Sequence, residues 1–160
     1  MKAHPPARTH RYAASVSWSG PAGGSTKTYA GYSREHMVTF DGKEAVVRGS
    51  ADPAFRGDPA LLNPEELLVA SLAACHLLSY LAVCALEGIE ILSYVDNADG
   101  RMTETSGEGR FVEVTLRPEV RIAREADRSR ALALHDRARA ACFIANSVNF
   151  PVHHEPVILA

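Results

Sequence analysis

The stretch that most restricts the fold is Asn63-Pro64-Glu65-Glu66 followed by Leu67 to Leu86, twenty residues without a formal charge that carry Cys75 and Cys84. Asn63 can cap free backbone N–H groups, Pro64 needs no donor at the first helical position, and Glu65 and Glu66 oppose the positive end of the helix dipole. Glu66 completes an Asn-x-x-Glu version of the capping box and Gly88 supplies the stop, so the spacing predicts a helix of about 23 to 25 residues. Ser71, His76, Ser79 and Tyr80 do not make a continuous wet face along it. A helix apolar nearly all round is buried, in a protein or in a membrane. Its length admits a membrane span. Its many small residues, His76 near the middle and the lack of a basic flank favour a buried helix of a soluble protein, so no membrane partner is expected.

A chain of 160 residues with ordinary apolar content forms one domain with a real core, here read as 1–160 with residues 1–10 flexible. The formal charge of −2 gives no basic footprint, so no nucleic-acid partner is expected. Met1 to His10 is polar and contains no apolar signal region, which makes the cytoplasm the expected location. There, three cysteines point to core thiols or redox chemistry rather than a disulfide framework.

Along the chain, Arg11 to Trp18 alternates as a half-buried strand, and residues 19–25 form a flexible Gly-rich turn. Thr28 to Arg34 and His36 to Phe40 read as strand, and Asp41-Gly42 turns the chain into Ala45-Val46-Val47. Ile89 to Val95 is a further strand, followed by a turn at Asp96 to Gly100. Phe111 to Ile122 is the clearest strand, with Val112, Val114, Leu116, Val120 and Ile122 on one face and Pro118 marking an edge or bulge. Asp127 is the expected cap of an amphipathic helix whose stripe is Ala131, Leu134, His135, Ala138 and Cys142, and Glu155 to Leu159 closes the chain as a strand. The order reads as α+β, an antiparallel sheet packed on the long central helix plus the amphipathic helix. One sheet covers one side of a helix, so the other side of the long helix is expected to pack on a second copy of the chain, as a homodimer.

Cys75 and Cys84 are nine residues apart, hence on opposite helix faces and ~13 Å from each other, too far for a disulfide. A redox partner for Cys75 within the chain is therefore Cys142. Cys75 sits mid-helix, beyond the reach of the dipole, so a reactive thiol there needs a cation from elsewhere: Lys27, Arg34, Arg56 or the neighbouring His76. Cys75-His76 and His153-His154 do not have metal-site spacing, and no Gly-rich loop opens a helix after a strand, so neither a metal nor a nucleotide cofactor is expected.

Asn63-Pro64-Glu65 through Ala73-Ala74-Cys75, with a second cysteine in Ala141-Cys142-Phe143-Ile144-Ala145-Asn146-Ser147, resembles the OsmC/Ohr family of osmotically induced and organic hydroperoxide resistance proteins. The resemblance implies an OsmC-like intertwined homodimer with two sheets around two central helices, and reduction of organic hydroperoxides by thiols without metal or flavin. It also implies that Cys75 is the peroxidatic cysteine, Cys142 the resolving cysteine and Glu65 an active-site glutamate. The family takes its catalytic arginine from a Gly-rich turn in the first hairpin. Here Gly23-Gly24-Ser25-Thr26-Lys27 has none, leaving Lys27 or Arg34 as substitutes, and Phe143 stands where many members carry proline. Both departures mark a divergent branch.

The implied chemistry is a cysteine-based peroxidase cycle closed by an external dithiol reductant, with an apolar setting suited to alkyl or lipid hydroperoxides. Two other functions fit the same residues: a non-catalytic stress or binding protein with core thiols, and thiol–disulfide exchange. Glu65 and Cys75 lie ten residues apart, ~15 Å along a straight helix, so a site using both takes one from each copy.

Overall fold

The structure, a computed structural model, describes residues 7–18, 20 and 25–160. The flexible tail and Gly-rich turn expected from the sequence fall partly outside these residues. The chain forms two compact units, 1–65 and 66–160.

The first unit holds β1 (Ala14–Ser17), β2 (His36–Phe40) and β3 (Val46–Gly49), paired antiparallel in the order β1-β2-β3. Gly42 turns β2 into β3 with a φ of +67°, a conformation that suits a residue without Cβ. Thr28 to Arg34 is not a strand. Gly31 N–H bonds to Thr28 O and Ser25 N–H to Gly31 O, while the Arg34 guanidinium takes the carbonyls of Tyr29 and Tyr32, so these groups are committed to a local loop. The alternation that announced β1 is real, yet all four of its residues are exposed, Val16 at 68%.

The long helix α1 runs Pro64–Leu86, 23 residues as its capping signals require. Gly88 (φ +71°) follows its end, and Ile89 N–H reaches back to Cys84 O at 2.9 Å, the six-to-one bond of a left-handed C-cap. Its buried stripe is Leu72, His76, Tyr80, Val83 and Cys84, spaced at four, four, three and one. Off that stripe large apolar side chains face outward, Leu78 at 66% and Leu86 at 82% exposure.

The rest of the second unit runs β4 (Ile91–Asp96), β5 (Asp99–Thr105), β6 (Glu108–Leu116), β7 (Pro118–Ile122), α2 (Arg128–Ala141), β8 (Val152–His154) and β9 (Val157–Leu159). Two sheets result, β4-β7-β9 and β5-β6-β8. The fold is α+β with a long helix, as read from sequence, but β6–β8 and β7–β9 pair in parallel. α2 lies between β7 and the two closing strands and supplies the crossover that parallel pairing needs.

The single strand expected over 111–122 is two strands in different sheets. Pro118 has no N–H, Arg117 N–H is taken by the Asp96 carboxylate at 2.7 Å, and the Arg117 side chain binds Asp99 and Glu155. Pro118 opens β7, the central strand of its sheet, so neither an edge nor a bulge explains it; a first position tolerates proline. Inward alternation survives the break and serves two clusters. Val114 and Leu116 join Leu72 and Val152, while Val120 and Ile122 join Tyr80, Val83, Cys84, Ile89, Ala131, Leu134, Ala138 and Ile158.

Asp127 precedes α2 without capping it. A 3₁₀ turn, Glu125–Asp127, runs directly into the helix, so Asp127 is already helical, and its carboxylate pairs with Arg124 at 2.8 Å and Arg130 at 3.2 Å. The expected stripe of α2 is the buried one: Ala131, Leu134, His135 and Ala138, with Cys142 just beyond the last turn.

Candidate active site

In the second unit Cys75 and Cys142 come together. Cys75 projects from the fourth turn of α1 and is half-buried; Cys142 ends α2 in extended backbone and is fully buried. All three cysteines are free thiols. Burial pushes the Cys142 thiol up to about 11, and its hydrogen bond to the Cys75 sulfur helps hold its proton. Ala145 N–H points at Cys142 Sγ from 3.4 Å and works in the opposite direction, with less effect. One thiol is thus reachable and its neighbour is sequestered and protonated. Cys84 lies on the buried stripe against Tyr80, and burial raises its pKa too.

The mostly apolar packing between α1 and α2 also holds a polar contact. His76, one residue after Cys75, meets His135 of α2 with Nε2 to Nδ1 at 3.0 Å. Tyr80 stacks on His135 with ring centroids 3.9 Å apart and donates its hydroxyl to Ala131 O at 3.1 Å. His154 stacks outside His76 and His135, its Nε2 3.2 Å from Asp136 Oδ1. Burial holds His76 at about 4 and His135 at about 3, so both are neutral at pH 7. The His76 and His135 rings lie nearly in one plane, 13° apart, with Nε2 of the first and Nδ1 of the second pointing at each other. Among the described residues no group of three or more His, Cys, Asp or Glu is placed to hold a metal ion. The His76–His135 contact was not foreseen, although both residues were readable as members of buried stripes.

The charged residues expected to serve the thiols lie in the first unit. Arg34 and Glu65 line one cavity of about 440 Å³ together with Trp18, Tyr32, His36 and Phe55. The Arg34 guanidinium sits 3.9 Å from the Tyr32 ring centroid and 4.7 Å from that of Tyr29. With two N–H groups bonded to the carbonyls of the same tyrosines at 2.6 Å, it is clamped edge and face. Lys27 is exposed on the turn and is not among the cavity's lining residues, and Arg56 caps a 3₁₀ turn, Pro53–Phe55, at φ 67°. Trp18 completes the aromatic side, its indole N–H donating to Ser33 O at 2.8 Å. The clamp was legible only as Tyr29-x-x-Tyr32-x-Arg34, a spacing without a known sequence signature.

A family model described as OsmC-like protein matches residues 57–156. An OsmC-like protein of unknown function from Vibrio cholerae is 31% identical, with a TM-score of 0.81 over 93% of this chain and 100% of that one. The organic hydroperoxide resistance protein OsmC from Legionella pneumophila (16% identity, TM-score 0.67, 96% and 100% covered) has the same fold. So does the organic hydroperoxide resistance protein OhrB of Bacillus subtilis (22%, 0.62, 91% and 98%). No curated protein matches the chain in sequence. The family model spans more than half the residues and the Vibrio relative aligns along nearly all of both chains, so this chain belongs to the OsmC-like family.

Proposed function

We propose that the protein is a thiol-dependent peroxidase that reduces organic hydroperoxides, working as a homodimer. The observation that carries this reading is the contact between the half-buried Cys75 and the buried, protonated Cys142. Cys75 thiolate attacks the distal peroxide oxygen, the O–O bond breaks, and the alkoxide leaves as an alcohol after taking a proton. The resulting sulfenic acid condenses with the Cys142 thiol, giving a disulfide and water, and an external dithiol restores both thiols. Cys75 is the attacking sulfur because it is the accessible one, while Cys142 keeps its proton until the sulfenic acid forms.

Arg34 supplies the positive charge. Its guanidinium is held over both tyrosine rings, and the remaining N–H groups can bind a peroxide oxygen, with Glu65 lining the same cavity to orient it. Trp18, Tyr32 and Phe55 suit the alkyl or aryl part of a hydroperoxide. Turnover of cumene hydroperoxide by purified protein with dithiothreitol tests this assignment. Arg34→Ala is expected to lower the rate at least tenfold and Lys27→Ala less than twofold; equal small effects would remove Arg34 from the site.

The dimer follows from α1. By length and composition it could cross a membrane, yet it carries a packed stripe of His76, Tyr80 and Cys84, and a second α1 is the simplest cover for its outward leucines. Two copies also remove the difficulty that Glu65 and Cys75 lie ~15 Å apart along one helix. Light scattering at micromolar concentration should give about twice the chain mass of 17.3 kDa. A stable, well-folded monomer would sink the shared site.

A further inference from the structure

We propose that His76 and His135 are positioning residues for the thiol pair: their hydrogen bond sets the register of α2 on α1 and thereby places Cys142 against Cys75. The inference concerns the geometry of the two sulfurs and holds whether or not they reduce peroxides.

The sequence puts each histidine in step with a thiol. His76 directly follows Cys75, and His135 precedes Cys142 by seven residues, two helical turns, on the same buried stripe of α2. Much of the packing around α2 comes from small or smooth side chains: Ala131, Leu134 and Ala138 sit in one cluster with Val83 and Cys84. Such surfaces resist separation but resist sliding less, because neighbouring positions along a stripe of alanines are nearly equivalent. A hydrogen bond of 3.0 Å between two rings that are 1% and 0% exposed has one acceptable alignment. A slip of one residue along α2 would move the acceptor by ~1.5 Å and leave two buried nitrogens unpaired. Tyr80 contributes a second bond between the helices, to a backbone carbonyl that every residue of α2 possesses, so it does not choose the register.

The geometry also explains an expensive arrangement. Two buried imidazoles, one with an Nε2 that has no hydrogen-bond partner, occupy space that leucine or phenylalanine would fill at lower cost. A polar pair that fixes alignment at the expense of stability is a recognised use of buried polar groups.

The test is the equilibrium between the Cys75–Cys142 disulfide and the dithiol in dithiothreitol buffers at pH 7.5, quantified by alkylation and peptide mapping. In His76→Gln the amide nitrogen can take the place of Nε2, and the constant should stay within threefold of the unmutated protein. His76→Phe keeps an aromatic ring at this position but not the bond, and should lower the constant at least tenfold. Leu134→Ala, which weakens the same core without touching the bond, should leave it within threefold. Full retention in folded His76→Phe, or an equal fall in Leu134→Ala, overturns the proposal. If His76→Phe does not fold, His135→Asn against His135→Leu makes the same comparison from α2, since the Asn amide can replace Nδ1: retention in Leu or equal loss in both overturns it.

Discussion

Replacing Cys75 with serine should abolish consumption of organic hydroperoxide, a loss of a thousandfold or more, because no other thiol in the chain is both accessible and next to a second thiol. The three cysteines are expected to separate cleanly. Cys142→Ser should still consume one equivalent of cumene hydroperoxide per chain, leave Cys75 as a sulfenic acid that a dimedone probe traps, and then stall. Cys84→Ala should turn over normally, since Cys84 sits on the opposite side of α1 against Tyr80 and Ala131. In the unmutated protein one equivalent of peroxide should link Cys75 to Cys142 and leave Cys84 free to alkylate. A protein that forms this disulfide with diamide but ignores peroxides would be a thiol-exchange protein, and one that forms no disulfide would have core thiols. Hydrogen peroxide should be a poorer substrate, because it cannot use the surface offered by Trp18, Tyr32 and Phe55.

The parts of the fold that declared themselves in sequence are those governed by local chemistry. α1 was bounded by its own caps, and α2 by its stripe, because a helix satisfies its hydrogen bonds within itself. Strand β5 was missed, since Asp99, Arg101 and Glu104 make it read as a turn and loop. It is an outer strand in which Arg101 pairs across the ladder with Glu113 at 2.9 Å, and nothing in a single sequence announces that partner. Strand β8, three residues long, gave no periodicity to detect. Parallel pairing of β6 with β8 and β7 with β9 depends on which strands meet across α2, a non-local choice.

The site divides along the same line. Cys75 and Cys142 were identified by a motif and by elimination between helix faces, and the fold brings their sulfurs into contact. Arg34 and Glu65, thirty-one residues apart, could be named but not joined by any spacing rule; they line one cavity with residues from the loop before β2 and the segment after β3. Tyr29 and Tyr32 lie in a stretch that reads as strand, yet their rings hold Arg34 and their carbonyls accept hydrogen bonds from its N–H groups. That contact arises from a loop conformation, and hydrophobic periodicity cannot report loops.

The folded protein should also lose stability in mild acid, more steeply than its carboxylates would cause. His76 and His135 protonate at about 4 and about 3 in the fold, against an ordinary value of 6.5, because burial disfavours the charged rings, His76 repels a charge on His135, and His154 repels a charge on either. Both shifts are downward, so between pH 6.5 and about 4 the unfolded chain binds more protons than the folded one. The contribution of the neutral rings is present in full above pH 6.5 and is lost as pH falls toward the folded values. Each ring adds a slope of about 1.4 kcal/mol per pH unit, giving up to about 2.7 kcal/mol per unit for the two together. Tyr80, Cys84 and Tyr94 are neutral throughout this range, and the one carboxylate bonded to the cluster, Asp136, is 86% exposed and touches only His154. Nothing among the described contacts of the two rings compensates a buried imidazolium. The urea midpoint should therefore fall continuously between pH 6.5 and 5, above the range where most carboxylates titrate. His76→Gln removes one titrating ring and should halve that slope. A midpoint that stays level across this interval, or a slope unchanged in His76→Gln, would mean that the rings are already hydrated enough to protonate in place.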